Sequence, residues 1–162
     1  MDQHPTGNAL EFGCGTGTNA IALSLRGWRV DAVDVSWVAL AKAWLKIRRS
    51  GAQVQLLHDD VTQVGQHHRL HPPYSLALDI GCFHALDKEG RQAYGSQLPA
   101  LVEPGGGYLL YSFLKQGQST RRNWPQEAEI LSLHQADFEL VSLEHGTYGE
   151  RPSAWFTFRR SS

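Results

Sequence analysis

The stretch Ala9-Leu10-Glu11-Phe12-Gly13-Cys14-Gly15-Thr16-Gly17-Thr18-Asn19-Ala20 decides how this chain is read. A short apolar run carries an acid near its end. Three glycines then alternate with small residues, and Ile21, Ala22, Leu23 and Leu25 continue in a helical pattern. The order is strand, tight turn, helix start. Glycines in such a turn let a ligand lie against the backbone, where a Cβ would collide with it. The helix N-terminus behind them leaves unpaired N–H groups facing that ligand. Glu11, two residues before the first glycine, sets the charge the turn accepts: it repels a phosphate and holds an ammonium group. Gly15-Thr16-Gly17-Thr18-Asn19-Ala20 also fits the dinucleotide pattern G-x-G-x-x-G/A, with Asp34 placed downstream to bind a ribose. That shorter pattern is weak alone.

Around this stretch, 162 residues and 41% hydrophobic content suit a single domain spanning the chain, with a real core. Lys plus Arg is 15 and Asp plus Glu is 16, so no overall charge draws the chain toward nucleic acid or an anionic membrane. Neither partner is expected. Arg48-Arg49, Arg121-Arg122 and Arg159-Arg160 read as solvated ends of elements. No apolar run approaches a membrane span, and no secretory signal follows Met1. Cys14 and Cys82 have no CxxC partner, which suits a reducing, cytoplasmic setting; a catalytic thiol is the alternative.

Downstream, strands and helices alternate, which argues for a parallel sheet with helices on both faces. Strands are expected at 8–12, 28–33, 53–57, 74–79 and 108–113. Helices are expected from Thr18 to about Gly27, over 37–49 from an N-cap at Ser36, over 88–102, and over 125–134. Pro104-Gly105-Gly106-Gly107 reads as a turn. Two final strands, 137–144 and 153–159, are joined through 146–152.

The fuller string Glu11-x-Gly13-x-Gly15-x-Gly17, with this element order, resembles motif I and the sheet of class I S-adenosylmethionine (SAM)-dependent methyltransferases. The resemblance covers essentially the whole chain. It implies a Rossmann-like α/β fold: a seven-stranded, mostly parallel sheet whose C-terminal hairpin strand inserts antiparallel, with helices on both faces. It also implies SAM as cofactor, S-adenosylhomocysteine as product and direct displacement of the methyl group. Glu11 is then expected near the methionine amino group, with Gly13, Cys14, Gly15, Gly17 and Asn19 passing under the ligand. Asp34 and Val35 end strand 2, where ribose binds. Asp60 and Val61 meet the adenine, with the adjacent Asp59 as the alternative. Glu11, Asp34, Asp60 and Ile80 should converge on one edge, at the carboxyl ends of strands 1 to 4.

Asp79-Ile80-Gly81-Cys82-Phe83-His84 occupies the motif IV position. With Tyr74-Ser75-Leu76-Ala77-Leu78 it looks like a small-molecule subgroup akin to the tellurite-resistance and thiopurine-type enzymes. Ile80 is expected against the cofactor, and Phe83 and His84 toward the acceptor. His84 serves either as a general base or as a structural residue starting a helix. His71-Pro72-Pro73-Tyr74 resembles the Asn/Asp-Pro-Pro-Tyr motif of amino-group methylases but lies before strand 4 instead of after it. His67, His68 and His71 cluster without a thiol or carboxylate in the segment, so no metal is expected. The alternative functions are a SAM- or nucleotide-binding protein without catalysis, or an NAD oxidoreductase. Met1–Gly7 is too short for the N-terminal cover usual in the resembled family. The expectation is therefore an open cleft, with slow turnover unless a partner chain or dimer covers it. Residues 115–124 and 146–152 are the remaining lid candidates.

Overall fold

The computed structural model describes residues 7–117 and 123–162. Residues 1–6 of the N-terminal segment expected to be too short for a cover, and the centre of one lid candidate (118–122), lie outside them. Seven strands form one sheet: β1 (Asn8–Phe12), β2 (Arg29–Asp34), β3 (Val54–His58), β4 (Tyr74–Ile80), β5 (Val102–Phe113), β6 (Phe138–Tyr148) and β7 (Arg151–Arg160). Their order is β3-β2-β1-β4-β5-β7-β6. The first five run parallel, and β7 pairs antiparallel with both β5 and β6.

Alternation along the strands divides the core. Ala9, Val30 and Ala32 pack with Ala20 of α1 (Thr18–Ser24) and Leu40 of α2 (Trp37–Ser50). Leu10, Phe12, Val33 and Ala77 face the other side. There they meet Tyr94 and Leu98 of α3 (Lys88–Leu101) and Ile130 of α4 (Glu127–His134). Helices thus cover both faces, as the period-2 pattern of a buried parallel sheet requires. Ser36 caps α2 by accepting the Ala39 N–H at 3.2 Å, and Asp87 caps α3 through Gly90 at 2.7 Å.

Two boundaries differ from expectation. The turn expected at 104–107 is an excursion inside β5: Val102 already pairs with Tyr74, and pairing resumes at Gly107 opposite Leu76. The lid candidate 146–152 is a tight hairpin in which Thr147 pairs with Pro152 and Tyr148 with Arg151. Gly149, at φ 61°, makes that turn, so local chemistry closes the hairpin further out than the apolar pattern indicated.

Candidate active site

The carboxyl ends of β1, β2, β3 and β4 meet around a cleft of about 400 Å³, in the range of ~300–1,000 Å³ usual for small-molecule sites. Gly13, Asp34, Val35, Asp59, Asp60, Val61 and Ile80 line it, with Gly81, Cys82, Ala85 and Leu86 on the β4 side. Parallel strands place their C-terminal loops on one edge, which brings together residues far apart in sequence. Both Asp59 and Asp60 border the cleft. Asp60 Oδ1 is used locally, accepting the Thr62 N–H and hydroxyl at 2.8 Å each.

Glu11, the penultimate residue of β1, does not line the cleft with Asp34, Asp60 and Ile80. It is 2% exposed, and its Oε1 accepts the Asn19 side-chain N–H at 3.2 Å. Oε2 is buried without a partner. Burial pushes the carboxyl up to about 7, against the pull of Asn19 and the Ala20 N–H. A buried carboxylate oxygen without a donor is costly and fits a cationic partner.

The glycines divide by role. A Cβ on Gly13 would stand 2.5 Å from Cys82 Cβ, and one on Gly17 would stand 3.1 Å from Ala43 Cβ. Both glycines permit close approach of chain to chain, and Gly13 also borders the cleft. Gly15 faces open space at φ +53°. Its N–H donates to Asp34 Oδ2 at 2.8 Å, while Asp34 Oδ1 accepts the Ser36 N–H at 2.8 Å. Asp34 thus ties the glycine turn to the start of α2 and keeps lone pairs for a diol. Cys14 is buried, donates its N–H to Val33 O at 2.9 Å, and does not line the cleft. Burial pushes its thiol up to about 12 and raises that of Cys82 further, so neither suits a catalytic thiolate.

Two contributors were missed in the sequence. Asp79 is fully buried; its Oδ1 accepts the Cys82 N–H at 2.8 Å and its Oδ2 the Phe83 N–H at 3.1 Å and Tyr94 OH at 2.9 Å. Burial raises it to about 7. It fixes the turn after β4, and an acid ending an apolar strand was the available signal. Lys46 donates from α2 to Thr16 Oγ1 at 2.7 Å and to Thr18 Oγ1 at 3.4 Å, bracing the glycine turn. Nothing in the sequence marked that reach.

His84 departs from the general-base reading. Its Nδ1 accepts the Phe113 N–H at 3.0 Å, and burial pushes its pKa down to about 4. The neutral ring then carries its proton on Nε2 and has no free lone pair for a base. Phe113 packs at a tilt beside it at 4.6 Å, with Trp124 4.9 Å and Tyr148 6.2 Å from Phe113. His71 is taken up at the opposite end of the sheet, where Nδ1 lies 3.1 Å from Asp31 Oδ2. Among the described residues no His, Cys, Asp or Glu group is placed to hold a metal.

Strand order and cleft define a class I, SAM-dependent methyltransferase. The chain belongs to the family described as "Methyltransferase domain", whose profile matches residues 9–106, more than half of its length. It is 26% identical over 117 residues to the uncharacterized methyltransferase C750.03c of Schizosaccharomyces pombe, covering 72% of this chain and 79% of that protein. TehB from Haemophilus influenzae superposes at TM-score 0.80 with 16% identity, over 96% of this chain and 57% of that one. The 1,6-didemethyltoxoflavin-N1-methyltransferase of Burkholderia thailandensis superposes at 0.77 with 22% identity, over 96% and 71%. The residues present fit the cofactor: an unpartnered carboxylate oxygen suits its ammonium group, Asp34 its ribose, and the Asp59–Val61 wall its base.

Proposed function

We propose that this chain, as one domain, methylates a small molecule, and that Glu11 holds the methionine end of SAM, Asp34 the ribose, and Asp60, Val61 and Ile80 the adenine. The observation that carries this reading is the buried, unpartnered Oε2 of Glu11, in the strand that leads into the glycine turn. Bound SAM supplies an electrophilic methyl group on a sulfonium. The chain's own work is placement and exclusion of water. Asp79 and its partners hold the Gly81–Phe83 turn still at one side. Lys46 and Asp34 hold the glycine turn at the other. His84, neutral at physiological pH, offers an Nε2–H donor toward the acceptor and takes no proton from it.

The acceptor side lies past His84. Phe113, Trp124 and Tyr148 form an aromatic wall, with the Arg151 guanidinium 5.6 Å from the Phe113 ring. Such a wall suits a compact organic acceptor and supports catalysis over cofactor binding alone. The 1,6-didemethyltoxoflavin enzyme, named for a small-molecule acceptor, is consistent with this class. Mass detection of S-adenosylhomocysteine, formed from SAM with a panel of thiols, amines, oxyanions and halides, tests the proposal. Product with at least one acceptor class, lost in Glu11→Gln, is expected. Tight SAM binding with no product across the panel would favour the non-catalytic binder instead.

A further inference from the structure

The cleft leaves α2 unexplained. Its outward surface carries Trp37 (69% exposed), Val38 (67%), Trp44 (50%) and Leu45 (47%), four of the most exposed large apolar side chains among the described residues. Leu40 and Ala43 already seat the helix on the sheet. On a 3.6-residue period, Trp37, Trp44, Ala41, Leu45 and Val38 therefore form a second apolar arc turned away from the core, with one face of the Trp37 ring stacked on His58 at 3.9 Å. Lys42 and Arg49 lie along one edge of that arc, and Arg48 lies over the Trp44 ring at 4.7 Å. These 14 residues contain Lys42, Lys46, Arg48 and Arg49 and no Asp or Glu. The chain as a whole is nearly neutral, so this concentration is local.

We propose that the outer face of α2 docks this protein on an anionic lipid surface. Exposed apolar clusters mark interaction sites. An apolar arc with tryptophans, bordered by Lys and Arg, has the chemistry of a helix lying in a bilayer interface: indoles enter the headgroup boundary and the cations meet lipid phosphates and carboxylates. Charge selects the occupant. A second copy would bring four cations against four cations with no acid on either helix, which opposes self-association through this face. A fluid surface also conforms to a convex helix, whereas a protein partner needs a matching groove. Asp34, whose Oδ1 accepts the N–H of the N-cap Ser36, lies beyond the N-terminal end of the helix. Lys42, Arg48 and Arg49 sit in its middle and last turns, so the C-terminal half leads the contact. No described helix is long and apolar enough to cross a membrane, and surface docking requires none.

Vesicle flotation of the full chain provides the test. The probes are phosphatidylcholine vesicles alone and phosphatidylcholine with about one third phosphatidylserine. Binding to the anionic vesicles only, weakened by salt, is expected. The triple variant Lys42→Glu, Arg48→Glu and Arg49→Glu should lose roughly a hundredfold in partition, from about tenfold or less per charge. Trp37→Ala with Trp44→Ala should lose about tenfold or more. Circular dichroism and thermal melting of each variant establish that it folds. No flotation with either composition overturns the proposal. So does flotation that the folded tryptophan variant retains in full. A dimer in size-exclusion chromatography that dissolves in the tryptophan variant, or capture by poly-glutamate without flotation, would assign the face to a second copy or an acidic protein and equally overturn it.

Discussion

At the scale of single residues, the site rests on carboxylates in unlike surroundings. Glu11 is raised from 4.5 to about 7 by burial. The folded chain without ligand therefore binds a proton there more tightly than the unfolded chain does. Stability attributable to Glu11 is full below about pH 4.5 and falls as pH rises toward 7. Glu11→Gln removes that fall, so its ligand-free melting temperature above pH 7 should equal or exceed the parent's. An ammonium group requires the charged form, so parent affinity for SAM should rise with pH through about 7. The glutamine variant should bind more weakly by about 1.5–3 kcal/mol, the worth of a hydrogen bond to a charged group. Calorimetry showing the same affinity in both, at every pH, would remove Glu11 from the site. Asp34 carries a different load, since its two oxygens already accept the Gly15 and Ser36 N–H groups. Asp34→Ala should fold yet lose about 1 kcal/mol of stability. Its SAM affinity should drop by about 1.5–3 kcal/mol. A stability loss with unchanged affinity would leave Asp34 a turn anchor alone.

At the scale of elements, the glycine turn is held from α2. Gly17 takes φ +77° against Ala43, so Gly17→Ala combines a left-handed backbone with a tight Cβ contact. Urea unfolding should show a loss of about 1–2 kcal/mol. A neutral result would mean that the turn relaxes freely. Lys46→Met keeps most of the side chain's length and removes only the bonds to Thr16 and Thr18. The position is exposed, so stability should change by no more than about 0.5 kcal/mol. Amide exchange at Thr16–Thr18 should quicken, and SAM affinity should fall about fivefold, equivalent to ~1 kcal/mol. Unaltered exchange at these amides would show that the turn holds itself. Such a reach from helix to turn has no local sequence mark, because it depends on how α2 lies across the sheet.

At the scale of the whole molecule, both apolar clusters flank one sheet, and β1 and β2 contribute to each. One cooperative unfolding transition is expected. S-adenosylhomocysteine at about 100 times its dissociation constant should add ~2.7 kcal/mol and raise the midpoint by roughly 5–10 °C. Two separate transitions would split the chain into two folding units, and an unshifted midpoint would deny the cleft its ligand.

Local sequence was enough for the alternation of strand and helix, the glycine turn, and Glu11 and Asp34 near the ends of β1 and β2, while the antiparallel end of the sheet came through the family resemblance. These are local matters of periodicity, turn chemistry and residue type, which act within a few neighbours. Folding in three dimensions set Gly13 against Cys82, Gly17 against Ala43 and Gly15 toward open space. It also spent the Nδ1 lone pair of His84 on Phe113, joined Asp79 to Tyr94, and left one Glu11 oxygen without a donor. Those outcomes depend on atoms far apart in the chain meeting at distances set by the packed sheet, and hydrogen-bond satisfaction is settled only there.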